Sequence, residues 1–172
     1  SLFRYLRYAL LPALIATAAA LRADVKPHAL FADHAVLQRD KPIPVWGQAE
    51  PGEKVTVRLG GLIAESTTAD AKGNWSVRLP AQPAGGPYPL VFEGKNRIER
   101  TDIWLGEVWV CSGQSNMERR LGLYAQKLLG NWEQEVASAN YPQIRHFYVA
   151  RTPSDTPLTV TTGKWDVCSP KT

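Results

Sequence analysis

The chain has little of what small metal-bound or disulfide-stapled proteins depend on. Its 172 residues contain two cysteines and three histidines, too few and too scattered for a zinc-ligand spacing, so no metal or other cofactor is expected. A disulfide scaffold is excluded on the same count. Cys111 and Cys168 can pair in an oxidising compartment, or Cys111 can be a core thiol at the end of a buried strand. Charge of one sign is also scarce. The formal net charge is +4, but residues 1–23 carry Arg4, Arg7 and Arg22 and no acid, so the remainder is only +1. Lys/Arg patches interleaved with aromatics are missing, which excludes nucleic acid as an expected partner. Nor is there an uninterrupted run of about 20 apolar residues. The apolar stretch 9–21 is broken by Pro12 and Thr17, so stable membrane insertion is not expected.

What stands at the N-terminus instead is a secretory pattern. Arg4 and Arg7 precede that apolar stretch, and the small residues Ala18, Ala19, Ala20 and Ala23 offer cleavage sites. Residues 1–23 are therefore assigned to a signal peptide, which sends the mature chain to the periplasm or outside the cell. The chain begins with Ser1 rather than Met, which leaves room for an upstream start or for processing.

From residue 24 to about 100 the pattern is all-β. Short runs at 43–49, 54–60, 63–68, 74–79 and 88–93 are separated by turn signals, Glu50-Pro51-Gly52, Ala71-Lys72-Gly73 and Ala84-Gly85-Gly86-Pro87. The spacing predicts a small sandwich. Val55, Val57 and Leu59 alternate with Lys54, Thr56 and Arg58, so one face is buried and one is wet. Trp46 and Trp75 are read as core anchors in preference to sugar-stacking platforms. Asn74-Trp75-Ser76 matches the N-glycosylation acceptor, a three-residue pattern common by chance.

The sharpest chemical signal follows at 108–117, VWVCSGQSNM. Residues 103–111 leave almost no solvent-facing position, which predicts a strand buried on both faces, as in a parallel sheet. Ser112 to Asn116 then form a polar turn where open α/β sheets place their ligands. Ser115 is the candidate nucleophile. Gly113 permits a tight bend before it, and the backbone amides of the turn, with Gln114 and Asn116, are candidates for an oxyanion or substrate contact. The competing reading is a helix cap, because Ser115 and Glu118 fit the S-x-x-E box. Against it stand Arg119 and Arg120, cations in a first helical turn, and Gly122 soon after. Met117 replaces the second glycine of the G-x-S-x-G elbow, which disfavours an ordinary α/β-hydrolase.

Beyond the turn, Leu121, Tyr124, Ala125, Leu128 and Leu129 share one helical face ended by Gly130, and a second helix is expected over 132–139, opened by Asn131. A strand at 143–150 completes a β-α-β beginning with parallel pairing. Residues 152–172 read as loop with Trp165 as their large anchor.

GQSNME at 113–118, following DIWLGEVWVCS, resembles the nucleophile block of the sialate O-acetylesterase family, carbohydrate esterases related to SGNH hydrolases. LFADHAVLQRDKPIPVWGQAEPGEKVTV at 30–57, ANYPQIRHFYV at 139–149 and the terminal GKWDVCSPKT are similar to other blocks of that family in the same order. The resemblance implies an all-β sandwich-like domain at 24–100 and the incomplete start of an α/β SGNH-like esterase domain at 101–172. It also implies removal of O-acetyl groups from sialic acid or a related acetylated glycan, with Ser115 carrying the acyl group. The base and acid of the family's triad are expected downstream of Thr172, which would leave this stretch alone inactive. His28, His34 and His146 are poor substitutes, and His146 falls on the 143–150 strand, where a structural or partly exposed role is expected. Asp102 and Asp166 have no histidine at a telling spacing. The other function class is a secreted, non-catalytic carbohydrate-binding or structural sandwich module.

Overall fold

The computed structural model describes residues 24–118, 121 and 130–172. Residues 1–23, expected to form a signal peptide, the cations Arg119 and Arg120, Gly122 and the helix expected around Tyr124 to Leu129 lie outside the described residues.

Eight strands make the first unit: β1 (Lys26–Pro27), β2 (Val36–Gln38), β3 (Ile43–Gln48), β4 (Lys54–Leu59), β5 (Ile63–Thr68), β6 (Asn74–Leu79), β7 (Gly85–Glu93) and β8 (Arg97–Gly106). They form a three-stranded sheet, β1-β3-β6, and a five-stranded sheet, β2-β8-β7-β4-β5. All pairings are antiparallel except β2 with β8. Period-2 alternation explains why the sheets stack. Val45, Trp75, Val77 and Leu79 from the smaller sheet and Val55, Val57, Leu59, Leu90, Phe92 and Ile103 from the larger one are all buried in one cluster. Each large side chain fully withdrawn from water contributes about 1.5–3 kcal/mol. β5 is an edge strand, and its Glu65, Ser66 and Thr68 face solvent, which discourages further pairing.

Two turns have backbone reasons for their glycines. Gly52 and Gly73 both sit at φ +80°, and a Cβ on Gly73 would come within 2.5 Å of the Ala49 carbonyl oxygen. The third turn signal is displaced: Gly85 already belongs to β7, whose register against β8 shifts between Gly85 and Tyr88. Glu53 is the buried charged residue of the described core, and its carboxylate accepts from Lys95 N at 2.6 Å and Glu50 N at 3.1 Å. Gly94 makes room for it, since a Cβ there would overlap Glu53 Oε1.

The later segment contributes α1 (Trp132–Ser138), β9 (Tyr141–Phe147) and β10 (Trp165–Cys168). Asn131 is the N-cap position of α1 and bonds Glu135 Oε1 through its side-chain amide at 2.7 Å. The expected parallel pairing is replaced: β9 pairs antiparallel with β10, inside the stretch expected to be loop. Phe147 and Trp165, opposite one another with ring centroids 5.5 Å apart, supply the hydrophobic reason. Trp165 also donates its indole N–H to Leu30 O at 2.8 Å and packs on the sandwich core, the anchoring role expected of it. Among the described residues no helix is long and apolar enough to cross a membrane.

Candidate active site

The chain reaches the candidate nucleophile from the end of β8. β8 stops at Gly106 because its neighbours stop there: β2 ends with Gln38 opposite Gly106, and β7 begins with Gly85 opposite Leu105. The buried strand expected over 103–111 is thus cut in two. Ile103 and Leu105 are core residues, whereas Trp109 is 83% and Val110 91% exposed. An apolar run is buried only where neighbouring strands cover it, and past Gly106 the described residues offer none. Cys111 is exposed and Cys168 half-buried, and both are free thiols, so neither the core-thiol nor the disulfide reading describes Cys111.

Side chains of the β2 end fix the departure from β8. Gln38 accepts from Val108 N at 3.0 Å and donates to Glu107 Oε2 at 3.1 Å, while Arg39 Nε donates to Glu107 Oε1 at 2.7 Å. These contacts, Gln38 first, hold the Glu107 carboxyl below its ordinary pKa. Ser115–Glu118 then form a single 3-10 turn, within which Met117 N donates back to Gln114 O at 2.9 Å. Gly113, Gln114, Ser115 and Asn116 are all exposed. A Cβ on Gly113 would stand 2.8 Å from Cγ of the exposed Met117 side chain, which can turn aside, and Gly113 has no left-handed φ. Of the helix-cap alternative, the described residues contain this turn; the side chain of Glu118 and residues 119–120 and 122–129 lie outside them.

None of the three histidines hydrogen-bonds Ser115. His28 accepts from Leu30 N at 3.3 Å and packs against Phe31 and Trp46, and burial lowers its pKa. His146 is exposed on β9, as expected of it. Its register partner across the hairpin is Asp166, whose carboxylate takes Lys164 Nζ at 2.8 Å.

His34 is different. Its Nδ1–H donates to Asp102 Oδ2 at 2.6 Å, and the same oxygen accepts from Arg145 Nη1 at 2.7 Å. Trp104 Nε1 donates to Asp102 Oδ1 at 2.7 Å, and the guanidinium of Arg145 lies 5.9 Å from the Trp104 ring centroid. Arg145, with its side chain only 5% exposed, further donates to Pro142 O at 2.8 Å. Arg145 above all, then His34 and Trp104, holds the Asp102 carboxyl far below the usual carboxylate range against the opposing effect of burial. Both His34 (φ 69°) and Asp102 (φ 58°) occupy the left-handed region, which Asp and His enter more readily than most side chains. This constellation was not legible in the sequence: 68 residues separate His34 from Asp102 and 43 separate Asp102 from Arg145. Chemically it is a tie between the sandwich and β9, with His34 oriented by a carboxylate and Ser115 outside the network. Among the described residues no three His, Cys, Asp or Glu side chains are placed to hold a metal ion.

No protein-family model matches the chain. Among curated proteins it is similar to sialate O-acetylesterase of Mus musculus, 29% identical over 139 residues, which is 73% of this chain and 25% of that protein. The Rattus norvegicus protein of the same name is 30% identical over 138 residues, 73% of this chain and 24% of that one. The Homo sapiens protein is 34% identical over 84 residues, 43% of this chain and 16% of its own length. The chain thus spans about a quarter or less of the curated relatives it matches. Among solved structures, a carbohydrate acetylesterase from Xanthomonas citri superposes with a TM-score of 0.78 at 41% identity, over 86% of this chain and 33% of that one.

Proposed function

We propose, for a chain that belongs to the sialate O-acetylesterase-like family, that it is the N-terminal part of a secreted or periplasmic serine esterase acting on an O-acetylated sialic acid or related glycan. Export rests on the Arg4/Arg7 and apolar pattern of residues 1–23. Ser115 Oγ attacks the acetyl carbonyl, the sugar hydroxyl leaves with a proton, and water releases acetate from the acyl-serine. Gly113, Gln114 and Asn116 border the carbonyl oxygen, where one well-placed donor is worth roughly 3–4 kcal/mol in the transition state. The general base and its acid come from the part of the family's catalytic domain not represented in these residues. That part would also cover Trp109 and Val110 with further strands of an SGNH-like α/β sheet, in a domain beginning near residue 101.

The observation that carries this reading is the exposed 3-10 turn at Ser115, reached from a chain departure at Glu107 and Val108 fixed by Gln38 and Arg39, in a chain similar to acetylesterases. In its support, none of the described histidines hydrogen-bonds Ser115, and His28 and His34 are engaged elsewhere. The test compares acetate release from an aryl acetate and from acetylated sugars by the 172-residue chain and by a version extended through the downstream coding sequence. Turnover is expected only from the extended protein and is lost in Ser115→Ala. Activity that survives that substitution overturns the nucleophile.

A further inference from the structure

A groove of about 990 Å3 crosses the outer face of the three-stranded sheet and is walled by residues 158–161. β3 and β6 lay its floor. Their register sets Trp46 directly opposite Ser76 and Gln48 directly opposite Asn74. Because side chains alternate along a strand, these four lie on the face opposite Val45, Trp75 and Val77. Gln48, Asn74 and Ser76 are exposed there, while Trp46 is half-buried and packs on the rim of the core, the anchoring role expected of it. The floor is therefore an indole flanked by two amides and a hydroxyl.

Trp46 is half-buried and fixed in place, with Phe31 edge-on at 4.8 Å and His28 tilted at 5.2 Å. A held aromatic costs little entropy when a ligand settles on it. The groove's lining carries one cation, Lys26, and one anion, Asp70, whose carboxylate accepts from Lys72 N at 2.8 Å and Asn74 N at 2.9 Å, and burial favours neutral His28. The two charges balance, and no arginine is there to fork a carboxylate.

We infer that this groove binds a neutral pyranose unit of a glycan, its C–H face on Trp46 and its hydroxyls on Gln48, Asn74 and Ser76. The choice of sugar as ligand class rests on the esterase reading, while the selection of a neutral unit over an anionic one follows from the lining. Ser115 is not part of that lining. The groove would retain the uncharged stretches of a glycan while its acetylated units are processed.

The test is a titration of the 172-residue chain followed by 1H–15N NMR of tryptophan indole and side-chain amide resonances. The probes are xylohexaose, which carries no acetyl ester, and the methyl glycoside of N-acetylneuraminic acid. Xylohexaose is expected to shift the Trp46 indole and the Gln48 and Asn74 amides saturably, with a Kd on the order of 1 mM, and the sialoside to bind more weakly. Gln48→Ala, an exposed polar truncation that leaves the core intact, is expected to weaken binding by about threefold or more. Absence of a saturable shift with xylohexaose, unchanged affinity in both Gln48→Ala and Trp46→Ala, or preference for the sialoside overturns the inference. Ester hydrolysis is not read in this experiment, so its failure leaves Ser115 chemistry standing, and loss of acetate release would leave the groove untouched.

Discussion

Asp102 and Arg145 close an ion pair 2.7 Å long between β8 of the sandwich and β9 of the later segment, with the arginine side chain almost wholly out of water. His34 and Trp104 complete the ring of donors around the same carboxylate. Removing one partner of such a pair leaves a buried charge uncompensated, which costs far more than the pair contributes relative to a neutral replacement. Asp102→Ala is therefore expected to destabilise the chain by about 3 kcal/mol, lowering Tm by on the order of 10 °C. Thermal unfolding by circular dichroism checks it, and a shift of only a degree or two would contradict the tie.

The same carboxylate sets a pH dependence. Its folded pKa is depressed, so its contribution is fully present above the unfolded value of about 3.9 and is lost as pH falls toward the folded one. The stability gap between the wild type and Asp102→Asn should be widest near neutrality and narrow as pH drops from about 5 to about 3. Denaturant midpoints measured in parallel across that range decide it. A gap that grows on acidification would reverse the sign of the argument.

Trp165 pins the β9–β10 hairpin to the sandwich through Leu30 O and the packing beneath it. Trp165→Ala is expected to cost about 2–3 kcal/mol and to loosen residues 141–172 before the sandwich opens. Hydrogen exchange should then rise across β9 and β10 while β4 and β7 keep their protection. Equal acceleration in both would place the tryptophan within a single cooperative unit.

Both thiols should react with a thiol reagent in the folded chain. Cys111 is exposed and Cys168 half-buried, so a thiol reagent should modify Cys111 first, with both alkylated under native, non-reducing conditions. An intact mass two hydrogens light, with neither site alkylated, would show a disulfide instead.

Much of the sandwich was readable because its signals are local. The alternation of Val55, Val57 and Leu59 with polar neighbours and the Glu50-Pro51-Gly52 turn place strands without reference to anything distant. Asn131 and the Tyr141-Pro142 dipeptide bounded α1 for the same reason. β1 and β2 escaped notice because strands of two and three residues carry no periodicity and exist only through their partners. The loop reading of residues 152–172 failed likewise, since β10 owes its existence to Phe147 across the hairpin.

The candidate site divides along the same line. Composition and local pattern by themselves determined that a polar turn carrying Ser115 follows an apolar run, that one sheet face is wet, and that the ordered blocks resemble an esterase family. Tertiary structure alone decided where that apolar run stops being a strand, because Gly106 is where the neighbours of β8 end. It alone joined His34, Asp102 and Arg145, and set Trp46 beside Gln48, Asn74 and Ser76 on an outer face. Hydrophobic alternation and turn chemistry act within a few residues and can be read along the chain. Ion pairs and sheet edges depend on residues brought together only after the chain has closed on itself.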